Sequence, residues 1–194
     1  MNELVSHSEP KARILETASR LFYEQGYQAT GINQLIAEAG VAKASFYQHF
    51  PSKEDLCVAY LHNRHHDWFS RLRKEVESHT QPQQRLLSLF TFIESRMQIT
   101  NFRGCAFLNM ASEFPAPDSR IRQEIVDHKT VLREYIRKLI ESYRSEVDKP
   151  ALVETSALAD TIYILFEGAI VESQNYRALW PIQAARETVK RMIQ

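Results

Sequence analysis

Few side chains in this chain are arranged to do chemistry, and the two cysteines come first. Cys105 follows Arg103-Gly104 and opens the run Ala106-Phe107-Leu108-Asn109-Met110-Ala111-Ser112-Glu113-Phe114. A thiol at the start of a helix, next to an arginine, gains thiolate character, and the thiolate is the reactive form. A lone cysteine is also a small apolar residue suited to a core. Both readings stay open for Cys105. Cys57 falls on the apolar side of its helix and reads as packing. Two cysteines make neither a disulfide framework nor a zinc knuckle. His62, His65 and His66 stand at i, i+3, i+4, a spacing that can bind a transition metal. Asp67 is about a quarter turn away, and no carboxylate is forced onto that face. The histidines therefore read as a solvated polar face, and no metal is expected. Gly-rich phosphate loop, G-x-S-x-G, HExxH and Cys-x-x-Cys patterns are all missing. No catalytic residue and no cofactor is expected, and an enzyme is not the reading.

The most informative stretch runs from Thr30 to Lys53, TGINQLIAEAGVAKASFYQHFPSK. A short helix near Ile32–Ala39 is followed by a tight turn at Gly40-Val41-Ala42. A second short helix starts near Lys43 and must stop at Phe50, because Pro51 follows. This is helix-turn-helix architecture. Leu35, Ile36, Val41 and Phe46 can pack the pair on a preceding helix. Lys43, Ala44, Ser45, Tyr47, Gln48 and His49 are left for an exposed surface. Small polar residues let a helix approach a major groove closely, and Tyr47, His49 and Lys53 carry donors suited to phosphate oxygens.

Charge adds nothing to that reading. Lys11, Arg13, Arg20, Lys43 and Lys53 are cancelled by Glu3, Glu9, Glu16, Glu24 and Glu38. DNA contacts must then rest on local placement and helix dipoles.

The elements that position these groups are helices. In 194 residues there are only five Gly and seven Pro, too few turns for an all-β chain, and apolar spacing of i, i+3, i+4 recurs throughout. Ser8 and Pro10 suit the start of a first helix bearing Leu15, Ala18, Leu21 and Phe22, with Gly26 as its stop. Thr30 sits where the cap of the second helix belongs. Ser52 and Asp55 form a capping box that opens a long helix through Val76. Breaks at Gln81-Pro82, Asn101–Gly104, Pro115 with Pro117, Pro150 and Pro181 separate five more helices. About nine helices are expected. They divide into a helix-turn-helix domain, residues 1–52, and a helical body, residues 53–194.

Lys+Arg and Asp+Glu are balanced at 24 each, and apolar residues make up 44%, the range of soluble globular chains. The longest apolar run, Thr161–Val171, is interrupted by Glu167, and the N-terminus has neither a basic start nor an apolar core. A soluble cytoplasmic protein is expected. The helix through Ile162, Leu165, Phe166, Ala169 and Ile170 is apolar over more than one face. Gly168 and Ala169 permit close helix approach, so the last two helices are expected to form a twofold four-helix interface. A charge at Ala169 should then split the dimer.

Residues 10 to 56 resemble the DNA-binding domain of the TetR family of bacterial transcriptional repressors. The resemblance rests on Ala18, Phe22, Gly26-Tyr27, Thr30, Ile32, Gly40-Val41, Lys43, Ser45-Phe46-Tyr47, His49-Phe50 and Ser52-Lys53-Glu54. The family often has Ser or Pro where Ala42 stands, and Gly where Ala44 stands. Ala42 removes a capping hydroxyl, and Ala44 adds a methyl that can touch a thymine methyl. The resemblance implies an all-α homodimer on a palindromic operator, released when a small molecule binds the body. The candidate DNA-contacting set is Thr30, Lys43, Ala44, Ser45, Tyr47, Gln48, His49 and Lys53. Candidate pocket walls in the body are Phe69, Phe90, Cys105, Phe107, Asn109, Met110 and Tyr163. The Gly104-Cys105…Asn109…Glu113 run looks like a segment of one TetR-like branch, some members of which sense electrophiles or oxidants through cysteine. Sequence alone does not separate a promoter-bound repressor from a TetR-like protein that organises the chromosome.

Overall fold

The structure, a computed structural model, describes residues 9–114, 116, 118–146 and 154–193. Among the described residues there are nine helices and no strand. They are α1 (Pro10–Glu24), α2 (Ile32–Ala39), α3 (Lys43–His49), α4 (Lys53–Glu77), α5 (Pro82–Ile99), α6 (Ala106–Glu113), α7 (Arg120–Glu146), α8 (Thr155–Tyr176) and α9 (Trp180–Met192).

Local chemistry accounts for most of these boundaries. Proline occupies the first turn of α1, α5 and α9, where its missing N–H has no partner to lose. The α4 cap is the expected reciprocal one. Asp55 N–H donates to Ser52 Oγ at 3.0 Å, and the Ser52 hydroxyl lies 2.7 Å from Asp55 Oδ2. The start of α2 differs from expectation. Its cap residue is Gly31, while the Thr30 hydroxyl turns back to the Gly26 carbonyl at 2.6 Å. Ser8, Pro115, Pro117 and Pro150, which the sequence suggests as caps or breaks, lie outside the described residues.

The described residues fall into two compact units. The first holds residues up to His65 together with Ala106–Ile125. Its core joins Ile14, Leu21 and Phe22 of α1 to Leu35 of α2, Phe46 of α3, and Leu56 and Tyr60 of α4. Each such side chain stabilises the unit by roughly 1.5–3 kcal/mol through burial. Met110 and Phe107 of α6 are buried in the same unit.

The second unit holds His66–Cys105 and Val126 onward. Here α8 packs on α5 and α9, with Phe90 and Phe166 edge to face at 5.9 Å. His128 is buried against the rings of Trp68 and Phe69, at 5.2 and 5.4 Å.

The α8 side chains expected to line a dimer face are packed within the chain itself. Ile162, Phe166, Ala169 and Ile170 are buried inside the unit. What α8 leaves outward is Ile164 and Val171, 66% and 38% exposed, and Gly168, whose missing Cβ would meet nothing within 4 Å. A helix apolar on two faces has one for its own chain and one to spare. Sequence periodicity shows that both exist but not which is which.

Candidate nucleic-acid interface

The α2–α3 pair is built around Gly40. Its backbone is left-handed (φ 61°), and the Val41 N–H closes on the Ile36 carbonyl at 3.3 Å. Leu35 and Phe46 are fully buried and fix the pair from beneath, and Phe50, in extended backbone before Pro51, ends α3. With Phe46 inward, the rest of α3 faces out. Lys43, Ala44, Tyr47 and Gln48 are exposed, and Ser45 and His49 are half-buried. Tyr47 stands edge-on to Phe46 at 5.4 Å with 39% of its surface exposed. Six of the eight candidate DNA-contacting residues thus lie along one short helix. No side-chain cap is made at Ala42, as its missing hydroxyl dictates.

Thr30 and Lys53 are placed differently. Thr30 is fully buried, with its hydroxyl on the Gly26 carbonyl and its N–H on the Tyr27 carbonyl at 3.2 Å. The Lys53 ammonium donates to the carbonyls of Tyr27 and Thr30, at 3.1 and 3.2 Å, and lies over the Tyr27 ring at 4.0 Å. Burial pulls it below the ordinary lysine value. Both residues hold the turn between α1 and α2.

Glu113, which the sequence marks only as the end of the Gly104-Cys105…Asn109…Glu113 run and with no role at this turn, completes it. The Glu113 carboxylate, at the end of α6, accepts the Tyr27 N–H at 3.0 Å and the Gln28 N–H at 2.7 Å. Phe114 meets the Tyr27 ring edge-on at 4.9 Å. Burial pushes the Tyr27 phenol up to about 12. Glu113 and Tyr27 are 86 residues apart, and no local pattern pairs them.

The two thiols sit in different surroundings. Cys57 is fully buried, 3.8 Å from Met110 Sδ, and burial pushes its thiol up. Cys105 is half-buried in the second unit. The Lys129 ammonium lies 3.7 Å from its sulfur and 2.6 Å from Glu167 Oε2, in an ion pair whose side chains are each 15% exposed. Burial acts to lower Lys129, but Cys105, Glu167 and Tyr163 outweigh it, and the ammonium is held above its ordinary value. The sequence pointed to Arg103 as the neighbouring cation; the structure adds Lys129, on α7. Gly104 precedes the thiol with φ 82°, and a Cβ there would come within 2.0 Å of Gln174 Oε1.

The remaining candidate pocket residues divide between the units. Phe69 and Phe90 are buried and Tyr163 is half-buried in the second, while Phe107 and Met110 are buried and Asn109 is half-buried in the first. His62 and His66 are exposed and His65 is half-buried. Among the described residues, no three His, Cys, Asp or Glu side chains are grouped to hold a metal ion. No helix there is long and apolar enough to cross a membrane.

Two family profiles match the chain. One, described as "Bacterial regulatory proteins, tetR family", covers residues 14–60, and the other, "Tetracyclin repressor-like, C-terminal domain", covers residues 82–189. The chain is 24% identical over 195 residues to the transcriptional repressor NemR of Escherichia coli K12, spanning 100% of this chain and 98% of NemR. It is 48% identical over 56 residues to YxaF, an uncharacterized HTH-type regulator of Bacillus subtilis, a match that spans only 29% of that protein. Among solved structures, SCO4454, a TetR-family regulator from Streptomyces coelicolor, superposes with TM-score 0.79 at 26% identity, covering 97% of this chain and 88% of that one. The reduced form of E. coli NemR gives 0.82 at 23%, covering 95% and 97%, a likeness of fold.

Proposed function

This chain belongs to the tetR family of bacterial regulatory proteins, and from that premise we propose that it is a transcriptional repressor that reads a palindromic operator through α3. The observation that carries the reading is the outward face of α3, where Lys43, Ala44, Ser45, Tyr47, Gln48 and His49 stand around the buried Phe46. Residues 1–52 form the reading head, and residues 53–194 form the ligand-responsive and dimerising body. The relatives above are named as regulators, in keeping with a chain that carries no catalytic motif. Two copies associate through the outward face of α8, at Ile164, Gly168 and Val171, together with α9.

Selection from random duplexes is the direct test. The expected product is an inverted repeat with half-sites one DNA turn apart, or a multiple of it. An occupancy map across the genome is expected to show one or a few promoters. Many dispersed sites would favour chromosome organisation, and failure to enrich any sequence would end the DNA-reading assignment.

Release from DNA is assigned to a small molecule acting on the body or to modification of Cys105. The Cys105 sulfur is half-buried, 3.7 Å from the Lys129 ammonium, whereas Cys57 is fully buried and burial pushes its thiol up. Brief treatment of the folded protein with N-ethylmaleimide, followed by peptide mapping, is expected to label Cys105 at least about tenfold faster than Cys57 at neutral pH. Cys105→Ser should keep operator affinity and lose the response to the reagent. Equal or slower labelling of Cys105 would leave a non-covalent effector as the signal.

A further inference from the structure

The turn between α1 and α2 is gripped from two sides by opposite charges. Glu113 takes two of its N–H groups, those of Tyr27 and Gln28. Lys53 takes two of its carbonyls, those of Tyr27 and Thr30. The Thr30 hydroxyl closes the loop on Gly26. Gly26 makes the grip possible: its φ is 94°, and a Cβ there would lie 2.7 Å from Glu113 Oε1. The turn ends at Gly31, the cap of α2, so its backbone sets where α2, and α3 after it, begins. All of these groups belong to one compact unit.

We propose that Glu113 is a positioning residue for DNA binding: its carboxylate fastens the α1–α2 turn to the end of α6 and thereby sets how α2 and α3 are presented. A carboxylate suits the task because it offers two acceptor oxygens to two adjacent N–H groups, in charge-assisted bonds stronger than neutral ones. Lys53 comes from α4, an element continuous with the helix-turn-helix in sequence. Glu113 comes from α6, a segment that begins one residue after Cys105. The head is therefore tied to a part of the chain remote in sequence. Phe114 against Tyr27 and Met110 against Cys57 keep α6 in contact when the carboxylate is removed. Loss of Glu113 should loosen the turn without unfolding the unit.

The inference rests on the DNA-binding reading, and the test separates the two. Full-length wild type, Glu113→Ala and Glu113→Gln are compared for amide exchange at Tyr27 and Gln28 without DNA, and for affinity to the selected duplex. Glu113→Ala is expected to speed exchange at those two amides at least about tenfold, leave the amides of α1 unchanged, and weaken duplex binding about tenfold or more. Glu113→Gln, with one acceptor oxygen and no charge, is expected to fall between. Wild type that binds no duplex ends the DNA-binding reading and this inference with it. Wild type that binds, with both variants within about twofold of it, ends this inference alone, whatever their melting temperatures, since a purely structural role lowers stability and spares the affinity of the folded fraction. If Glu113→Ala does not fold, the Glu113→Gln affinity decides by the same twofold criterion.

Discussion

Ile164→Glu is expected to give a folded monomer, and Ala169→Glu no folded protein at all. The two positions lie on the same helix, five residues apart, yet on opposite faces. Ala169 is 5% exposed in the packing of α8 with α5 and α9, beside the buried Phe166 and Ile170. An unpaired carboxylate there costs several kcal/mol, and overpacking adds to it. Domains of this size are stable by only about 5–15 kcal/mol. Ile164 is 66% exposed, and neighbouring Gly168 leaves open space around it. A glutamate at 164 is harmless to a lone chain and becomes a buried charge only when a second α8 closes over it. Sedimentation velocity and far-ultraviolet circular dichroism read the two outcomes together. A folded, monomeric Ala169→Glu alongside a dimeric Ile164→Glu would place the partner on the opposite face of α8.

Tyr47→Ala is expected to weaken binding to every duplex by roughly 1–2 kcal/mol per half-site, and a symmetric dimer loses that contribution twice. The combined loss corresponds to roughly thirtyfold to a thousandfold in affinity, since each 1.4 kcal/mol is a factor of ten. Tyr47 is the largest exposed side chain on α3, propped by Phe46, and its removal leaves the buried side of the helix untouched. Changes at Ser45 or Gln48 are expected to alter which sequence is preferred while general affinity persists. Lys53→Ala distinguishes a phosphate contact from a structural one. With its ammonium on two carbonyls of the α1–α2 turn, its loss is expected to lower the melting temperature and leave the salt dependence of DNA binding unchanged. A flatter salt slope would return Lys53 to the phosphate backbone. Wild-type affinity for Tyr47→Ala would remove α3 as the reading helix.

The helices were legible because their signals are local. Gly40, Pro51, the Ser52–Asp55 box and Pro82 each act within one turn of chain, and the boundaries at α2, α3, α4 and α5 follow them closely. The exposed set on α3 was legible for a related reason. Once Phe46 and Phe50 are inside, helical geometry assigns the other positions to the outside. Thr30 was misplaced as a cap because its hydroxyl had two local choices, the α2 N-terminus or the Gly26 carbonyl, and the fold of the turn selects the second.

By itself, then, the sequence determined the class of fold, the helix-turn-helix and the surface α3 presents, all consequences of interactions reaching no more than about one helical turn along the chain. Only the tertiary structure decided which apolar face of α8 is spent on α5 and α9, which cation accompanies Cys105, and that Glu113 and Lys53 clasp the same turn from opposite sides. Those pairings join residues 24, 26 and 86 positions apart. A charge or an apolar face carries no mark of its partner until packing has brought the two within a few ångströms, where hydrogen bonds and ion pairs act.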